Sequence, residues 1–509
     1  MISYLADAGG FMDPLYFYPG GEYEEGDSLK LYSWHSGKYI GSIAQVPKTY
    51  RVIGNMNEHQ VAIGETTFTG RKELHDPNGF IDYGAMMYIA LQRATTAREA
   101  IRIMTGLTDE YGYKMTGESF SVSDKDEAWI LEFIGRGKYG KGGVWVAARV
   151  PDGYIAAHAN QARIREIEWD DTENWMWSED VVDFARARGW HEGTDEEFSF
   201  TDAYAPATPR SLLMCEGRVW SVFNRAAPSK EFSADYWRCV EGAEPYPLFV
   251  KPDKKVSLQD MIALVRDHFH GTPFYTGEGF ASEPFNNPYR WRPLSFQLEG
   301  DTTTTYVFER TISQPQTGFS FVAQSRNWLP DHIGGIFWYA VDDTYSNAYM
   351  PLYMGMTKPP KPLVTGNVVD FDWESAFWVF NLVANYAYGL YNHMIVDIQQ
   401  VQQEVESRAY AMTKAVDVAA LTLYESDKTI MEEYLTDFSV NNAESTVQRW
   451  RELGYHLFSK YNDRYIRTSD ELRPWPKGVG YPDHYLRKVV DERPGYYDVR
   501  WRKPGEQAY

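Results

Sequence analysis

Cysteine is almost absent: Cys215 and Cys239 are the only two in 509 residues. Two thiols exclude a disulfide framework and a cysteine-rich zinc or iron–sulfur centre, leaving room for one structural disulfide at most. Positive charge is also scarce. There are 50 Lys and Arg against 71 Asp and Glu, a formal charge of −21 with a pI near 5.0. That balance argues against nucleic acid as a partner, because phosphate binding needs a concentrated basic surface. No long apolar run is clean enough to span a membrane. The most apolar stretch, 375–396, is interrupted by Asn381, Asn385, Asn392 and His393 and reads as a buried amphipathic helix. The amino end, residues 1–7, has no basic region, apolar core or small-residue cleavage box, so no secretory signal is visible. Also missing are G-x-S-x-G, Walker A, G-x-G-x-x-G and H-E-x-x-H, the common hydrolase, nucleotide and zinc signatures.

What remains is the composition of a folded chain. With 43% hydrophobic residues and 16% aromatics it can bury a large core, and bulk disorder is excluded. At roughly 150 residues per domain the length suits about three domains, although one large α+β domain also reaches this size. Short alternating runs at 39–43, 50–53 and 61–68 read as strands. Apolar residues at helical spacing between Asp82 and Leu107 predict one or two amphipathic helices. A meander over 119–123, 128–134 and 144–150 follows, then a further strand at 155–160. An acidic, Trp-rich insertion at about 166–208 carries a short helix at 181–188. Helices are expected at 210–224 and 258–268, and strands at 304–309, 319–324 and 336–340. Separated runs of strands and helices predict an α+β layered domain over 1–365. Residues 372–463 read as nearly continuous helix, broken near Ser426 and again at 438–442. They belong to a helical region, 366–509, that ends in a Pro-rich tail wrapping the surface, because Pro474, Pro476, Pro482, Pro494 and Pro504 resist regular elements.

Single features point to ordinary structure. His268 and His270 follow an amphipathic helix with no third ligand at a recognisable spacing, so they read as a surface turn and not a metal pair. Cys215 sits on an apolar helical face and Cys239 follows Trp237-Arg238; neither has an obvious group to lower its pKa. Asp342-Asp343 is an isolated acidic pair, with a solvated face as its default. Four polar clusters, at 3–7, 64–67, 158–160 and 216–218, each lie at the end of an apolar element, where a scaffold can present groups to a cleft.

Taken together, those clusters resemble peptidase family C69, the cysteine-type N-terminal nucleophile dipeptidases related to penicillin V acylase and bile salt hydrolase. The similar segments, in family order, are 1–7 (MISYLAD), 54–58 (GNMNE), 64–67 (GETT), 96–101 (TAREAI), 110–112 (EYG), 157–164 (AHANQARI) and 217–220 (GRVW). They continue at 266–268, 284–293, 323–327 (AQSRN) and 445–450 (STVQRW), so the resemblance runs from residue 1 to about 490. It implies a four-layer αββα sandwich with an additional carboxyl-terminal helical region. It also implies cofactor-free hydrolysis of dipeptides through a thioester acyl-enzyme.

The family carries its nucleophilic Cys on a first strand that precedes the segment resembling residues 1–7, and this sequence has neither. Met1 is no substitute, since a thioether is neither nucleophilic nor acidic. Either the sequence is a truncated form of an active enzyme or it is a short inactive homologue. Truncation is the favoured reading, because losing a central strand opens a buried sheet edge. Residues 1–509 alone are then expected to be inactive. By resemblance, Asp7 holds the nucleophile's amino group, Asn160 binds the oxyanion, and Arg218 supports the thiolate or orients the carboxylates. Tyr4 falls where relatives often have Arg. Glu65, Thr66 and Thr67 fall on the substrate pocket. Charge complementarity lets Glu65 pair with a dipeptide's ammonium, while the competing reading has Glu65 and the threonines close a strand turn. Small peptides are the expected partners, without nucleic acid or a membrane span, and an oligomer is compatible. Relatives often carry a secretion leader, which implies a periplasmic or extracellular location. The rival functions are an acyl-amide amidase of the same fold and a non-catalytic peptide- or glycan-binding protein, the latter suited to 17 Trp and 37 Tyr.

Overall fold

The computed structural model describes residues 1–7, 14–34, 36–301, 303–467, 476–497, 499 and 503. Two sheets organise the chain. The smaller has four antiparallel strands in the order β1 (Ile2–Leu5), β6 (Phe319–Gln324), β7 (Ile336–Val341) and β8 (Met350–Tyr353). The larger has eight, running from Trp175–Trp177 through β5 (Gly143–Arg149), β4 (Ala128–Gly135), β3 (Gly117–Ser123) and β2 (Ala62–Phe68) to the short strands Met56–Asn57, Val52–Ile53 and Phe17–Tyr18. Both sheets are rich in β-branched and aromatic residues, and β3, β4 and β7 are buried on both faces, which explains their weak alternation.

The sheets pack face to face. Ile53, Met56 and Ala62 of the larger share one core with Phe321, Phe337 and Tyr339 of the smaller. Gly64 sets the approach: a Cβ there would lie 3.0 Å from Cβ of Tyr4, so its missing side chain lets β1 settle against β2. The outer face of the large sheet is covered by α1 (Tyr83–Arg93) and α2 (Ala97–Tyr111), whose Met86, Ile89, Ile101 and Met104 meet Ile63, Phe120 and Leu131. Asp82 and Thr96 cap these two helices by accepting the Ala85 and Glu99 N–H groups. On the other side, α4 (Leu258–Val265) and the long pair α6 (Tyr391–Ser426) and α7 (Lys428–Tyr461) pack on Val322, Ile336 and Trp338. In chain order α3 (Gly217–Ala226), preceded by a π-helical turn at Leu212–Glu216, falls between α2 and α4, and α5 (Ala376–Tyr388) between α4 and α6. No helix among the described residues is long and apolar enough to cross a membrane.

Several expectations need correction. The chain does not break at 438–442: α7 runs straight through, because Phe438, Ser439 and Ala443 pack inward on its buried side. The expected strand at 155–160 shrinks to Ile155–Ala156, and that at 304–309 to Tyr306–Val307. The tail contains a helix, Asp483–Glu492, with Pro482 at its N-cap and Pro494 beyond its end, where proline costs no ladder bond; Pro474 and Pro504 lie outside the described residues. His268 is no surface residue. It is fully buried and boxed by the rings of Tyr289 and Tyr345. Asp342 and Asp343 are buried as well: Asp343 accepts from the hydroxyls of Tyr289, Ser346 and Tyr388, and Asp342 from Asn381 Nδ2.

Candidate active site

The site begins with the free side of β1. Ala6 N–H donates to Phe319 C=O at 2.9 Å and Gly318 N–H to Ala6 C=O at 2.8 Å. The period-two alternation of a strand therefore turns the backbone groups of Ser3 and Leu5 away from β6, toward the open edge. Along that edge lies a cavity of about 570 Å³. Its lining includes all seven side chains singled out from sequence: Tyr4, Asp7, Glu65, Thr66, Thr67, Asn160 and Arg218. They come from β1, β2, the loop after Ile155–Ala156, and α3.

Asn160 sits in the left-handed region, with φ 60°, a conformation Asn adopts more readily than most residues. Its Nδ2 donates to Thr67 C=O at 2.7 Å, and its Oδ1 accepts from Arg218 Nη2 at 3.0 Å. The guanidinium fixes which end of the amide is which, leaving one Nδ2 hydrogen for the cavity. Arg218 also donates to Ala159 C=O at 3.1 Å and to Met214 C=O. Burial and the nearby Arg310 guanidinium push its pKa down to about 10, so it stays charged at neutral pH. Asp7 accepts from Thr317 Oγ1 at 2.8 Å, and its other oxygen is 3.5 Å from Arg310.

Tyr4 donates to Glu65 Oε1 at 2.5 Å, and its ring packs on Phe319 and Phe321. Glu65, Thr66 and Thr67 lie inside β2 and not at a turn, so the strand-turn reading is wrong. Thr66 Oγ1 is 2.6 Å from His158 Nδ1, and Thr67 Oγ1 donates to Glu118 at 3.0 Å.

Three contributors were not singled out in the sequence, Ser121, Arg310 and Thr317, and His158 stood there only as an end of the 158–160 cluster, with no role given to it. His158 bridges β2 and β3, with Nε2 2.8 Å from Ser121 Oγ. Burial, then Arg163 and Arg218, lower its pKa to about 4, so the imidazole is neutral and ties the Asn160 loop to the sheet. Its place two residues before Asn160 was the available signal. Arg310 and Thr317 are some 300 positions from Asp7 and gave none. Cys215 lies under the site, its Sγ 3.4 Å from Asn160 C=O, and burial pushes its thiol up. Neither cysteine lines the cavity. Among the described residues no group of three or more His, Cys, Asp or Glu is arranged to hold a metal ion.

The model of peptidase family C69 matches residues 28–404. The chain belongs to peptidase family C69. Relatives of this C69 protein include a probable dipeptidase of Salmonella dublin, 26% identical over 363 residues (67% of this chain and 73% of that one). A probable dipeptidase of Latilactobacillus sakei is 24% identical over 71% of each chain. A dipeptidase of Bifidobacterium longum (strain NCC 2705) is 24% identical over 77% of this chain and 73% of its own. The family match spans β2 to β8 and reaches into α6, so every wall of the cavity except β1 lies within it.

Proposed function

We propose that this C69 protein is a dipeptidase whose site is the cavity along the open edge of β1, working through a cysteine acyl-enzyme. The observation that carries this reading is the convergence of Asp7, Asn160 and Arg218 on one cavity that also holds β2 residues 65–67. In this reading the nucleophilic cysteine is carried on a strand that pairs with the outward backbone groups of Ser3 and Leu5. The thiolate attacks the peptide carbonyl, and the tetrahedral oxyanion accepts a hydrogen bond from the remaining N–H of Asn160 Nδ2. The C–N bond then breaks, the cysteine's own α-amino group delivers the proton to the leaving amine, and water hydrolyses the thioester. Asp7, anchored by Thr317 and Arg310, holds that α-amino group in position. Arg218 keeps Asn160 oriented, and Tyr4, Glu65, Thr66 and Thr67 form the substrate side. We read the packing of α1 and α2, the two sheets, and α4 with α6 and α7 as a four-layer αββα sandwich, on which 366–509 is a helical region.

The test is to express residues 1–509 alone and preceded by a cysteine-bearing strand, and to assay both on unprotected dipeptides and on N-acyl amides. Cysteine-dependent release of amino acids by the extended form only is expected, since no cysteine lines the cavity of 1–509. Equal turnover by both forms, or cleavage of acyl amides alone, would overturn the reading.

A further inference from the structure

Beneath the cavity, two carboxyl groups meet without a cation. The β2–β3 register sets Glu118 opposite Thr67 and Phe120 opposite Glu65, so Glu65 and Glu118 are diagonal neighbours on one face of the sheet. Glu118 is wholly buried and Glu65 is 5% exposed. Tyr4 satisfies Glu65 Oε1 and Thr67 satisfies Glu118 Oε1; the two carboxyls hydrogen-bond each other, and otherwise Oε2 of each, like the buried hydroxyl of Tyr113, has no partner among the described residues. The groups bearing most strongly on the pair are each other, Tyr4, Thr67, Asp7 and Asp82; Tyr83 and Tyr113 face it from the helix side, and no Lys, Arg or His is among them. Burial pushes both carboxyls up, and the charge of Glu65 pushes Glu118 further. Two buried carboxyls side by side disfavour double ionisation and favour sharing a proton, and no Lys, Arg or His is among the described groups that bear most strongly on them.

Building on the peptide-binding reading, we propose that the Glu65–Glu118 pair, with Tyr4, is the subsite for a free primary ammonium group of the substrate. Glu65 lines the cavity, and its carboxyl, once the proton it shares with Glu118 has left, supplies the acceptor. An ammonium brings three donors and the missing positive charge. Its arrival favours the doubly ionised pair, so the shared proton leaves to solvent as the ammonium docks. Asp124, Asp126 and Asp152, which also line the cavity, give it an acidic mouth that draws cations inward. A substrate acylated at that nitrogen has no charge to offer and leaves the pair uncompensated.

Titration calorimetry of residues 1–509 with leucinamide and with N-acetyl-leucinamide tests this without any turnover. The free amine is expected to bind at least about ten-fold more tightly at pH 7. Its heat should vary with the ionisation enthalpy of the buffer, reporting release of up to one proton. Glu65→Gln keeps the Tyr4 contact and should abolish the preference; Glu118→Gln should keep binding but end the proton release, a signature that a purely structural pair would not give. Equal affinity for the two amides in the unmodified chain, or a preference untouched by E65Q, overturns the subsite. Peptide hydrolysis by the cysteine-bearing form without such a preference overturns the subsite alone. E65Q-sensitive leucinamide binding without dipeptide hydrolysis supports the subsite and overturns only the dipeptidase reading.

Discussion

Glu132 on β4 offers the sharpest quantitative test of how the site loop is held. Its carboxylate, 0% exposed, accepts the backbone N–H of Arg163 at 2.5 Å and of Ile164 at 3.0 Å, anchoring the chain just after Asn160. Burial raises its pKa from the ordinary 4.5 to about 7, against the lowering effect of those two donors and of Arg163. A carboxyl raised on folding favours the native state when protonated. Its contribution is therefore full below pH 4.5 and is lost as pH rises to about 7. At about 1.4 kcal/mol per pH unit, the loss across that window is about 3 kcal/mol. Glu132→Gln removes the titration and adds a constant penalty of about 1–3 kcal/mol, since an amide can accept from only one of the two N–H groups without turning its own donors on the other. Urea unfolding of both forms at pH 5 and pH 8 should give a stability difference about 3 kcal/mol larger at pH 5. Other raised carboxyls are common to both proteins and cancel. A difference that is flat with pH would refute the assignment of a buried, proton-holding Glu132.

Three further outcomes follow from the site and its supports. Arg218→Leu leaves the Met214 and Ala159 carbonyls and the Asn160 amide oxygen without a donor; an expected loss of about 2–4 kcal/mol should appear as a lower urea midpoint, together with a loss of ligand affinity in calorimetry. Cys215→Ala should cost only about 1 kcal/mol and leave any turnover of the cysteine-bearing form intact, because the Cys215 thiol is buried beneath the cavity; abolished turnover would make Cys215 the nucleophile. Gly54→Ala places a Cβ in the ring of Phe337 at a φ of +57°, and an expected cost of about 3 kcal/mol lowers the melting temperature by about 3 °C for a chain of 509 residues, read by calorimetry.

The parts of this protein legible in its sequence are those set by local chemistry. Helical spacing of apolar residues gave α1 and α2, and the break near Ser426 marked the joint between the long helices, where the structure shows Asp427 capping α7 by accepting the Thr429 and Ile430 N–H groups. Short apolar runs with the turn residues Asp124, Asp126, Gly140, Gly142 and Gly143 between them gave the meander of β3 to β5. The α+β class followed from the order of these runs, and the family resemblance rested on short segments whose residue types suit strand ends and site loops. Burial of polar residues was not legible. His268 and the Asp342-Asp343 pair look like surface residues because several of the groups that enclose them, Tyr289, Asn381 and Tyr388, lie far away in the chain.

The sequence by itself determined which donors and acceptors the chain can offer, since a carboxylate, an amide and a guanidinium have the same ones wherever they sit. Only the tertiary structure decided that Asp7, Asn160 and Arg218 share a cavity, that Arg310 lines it and Thr317 anchors Asp7, and that Glu65 has a second carboxyl beside it. The physical reason is that strand pairing and sheet packing join positions tens to hundreds of residues apart. Tyr4 reaches Glu65 across 61 positions and Thr317 reaches Asp7 across 310, distances over which no local periodicity survives.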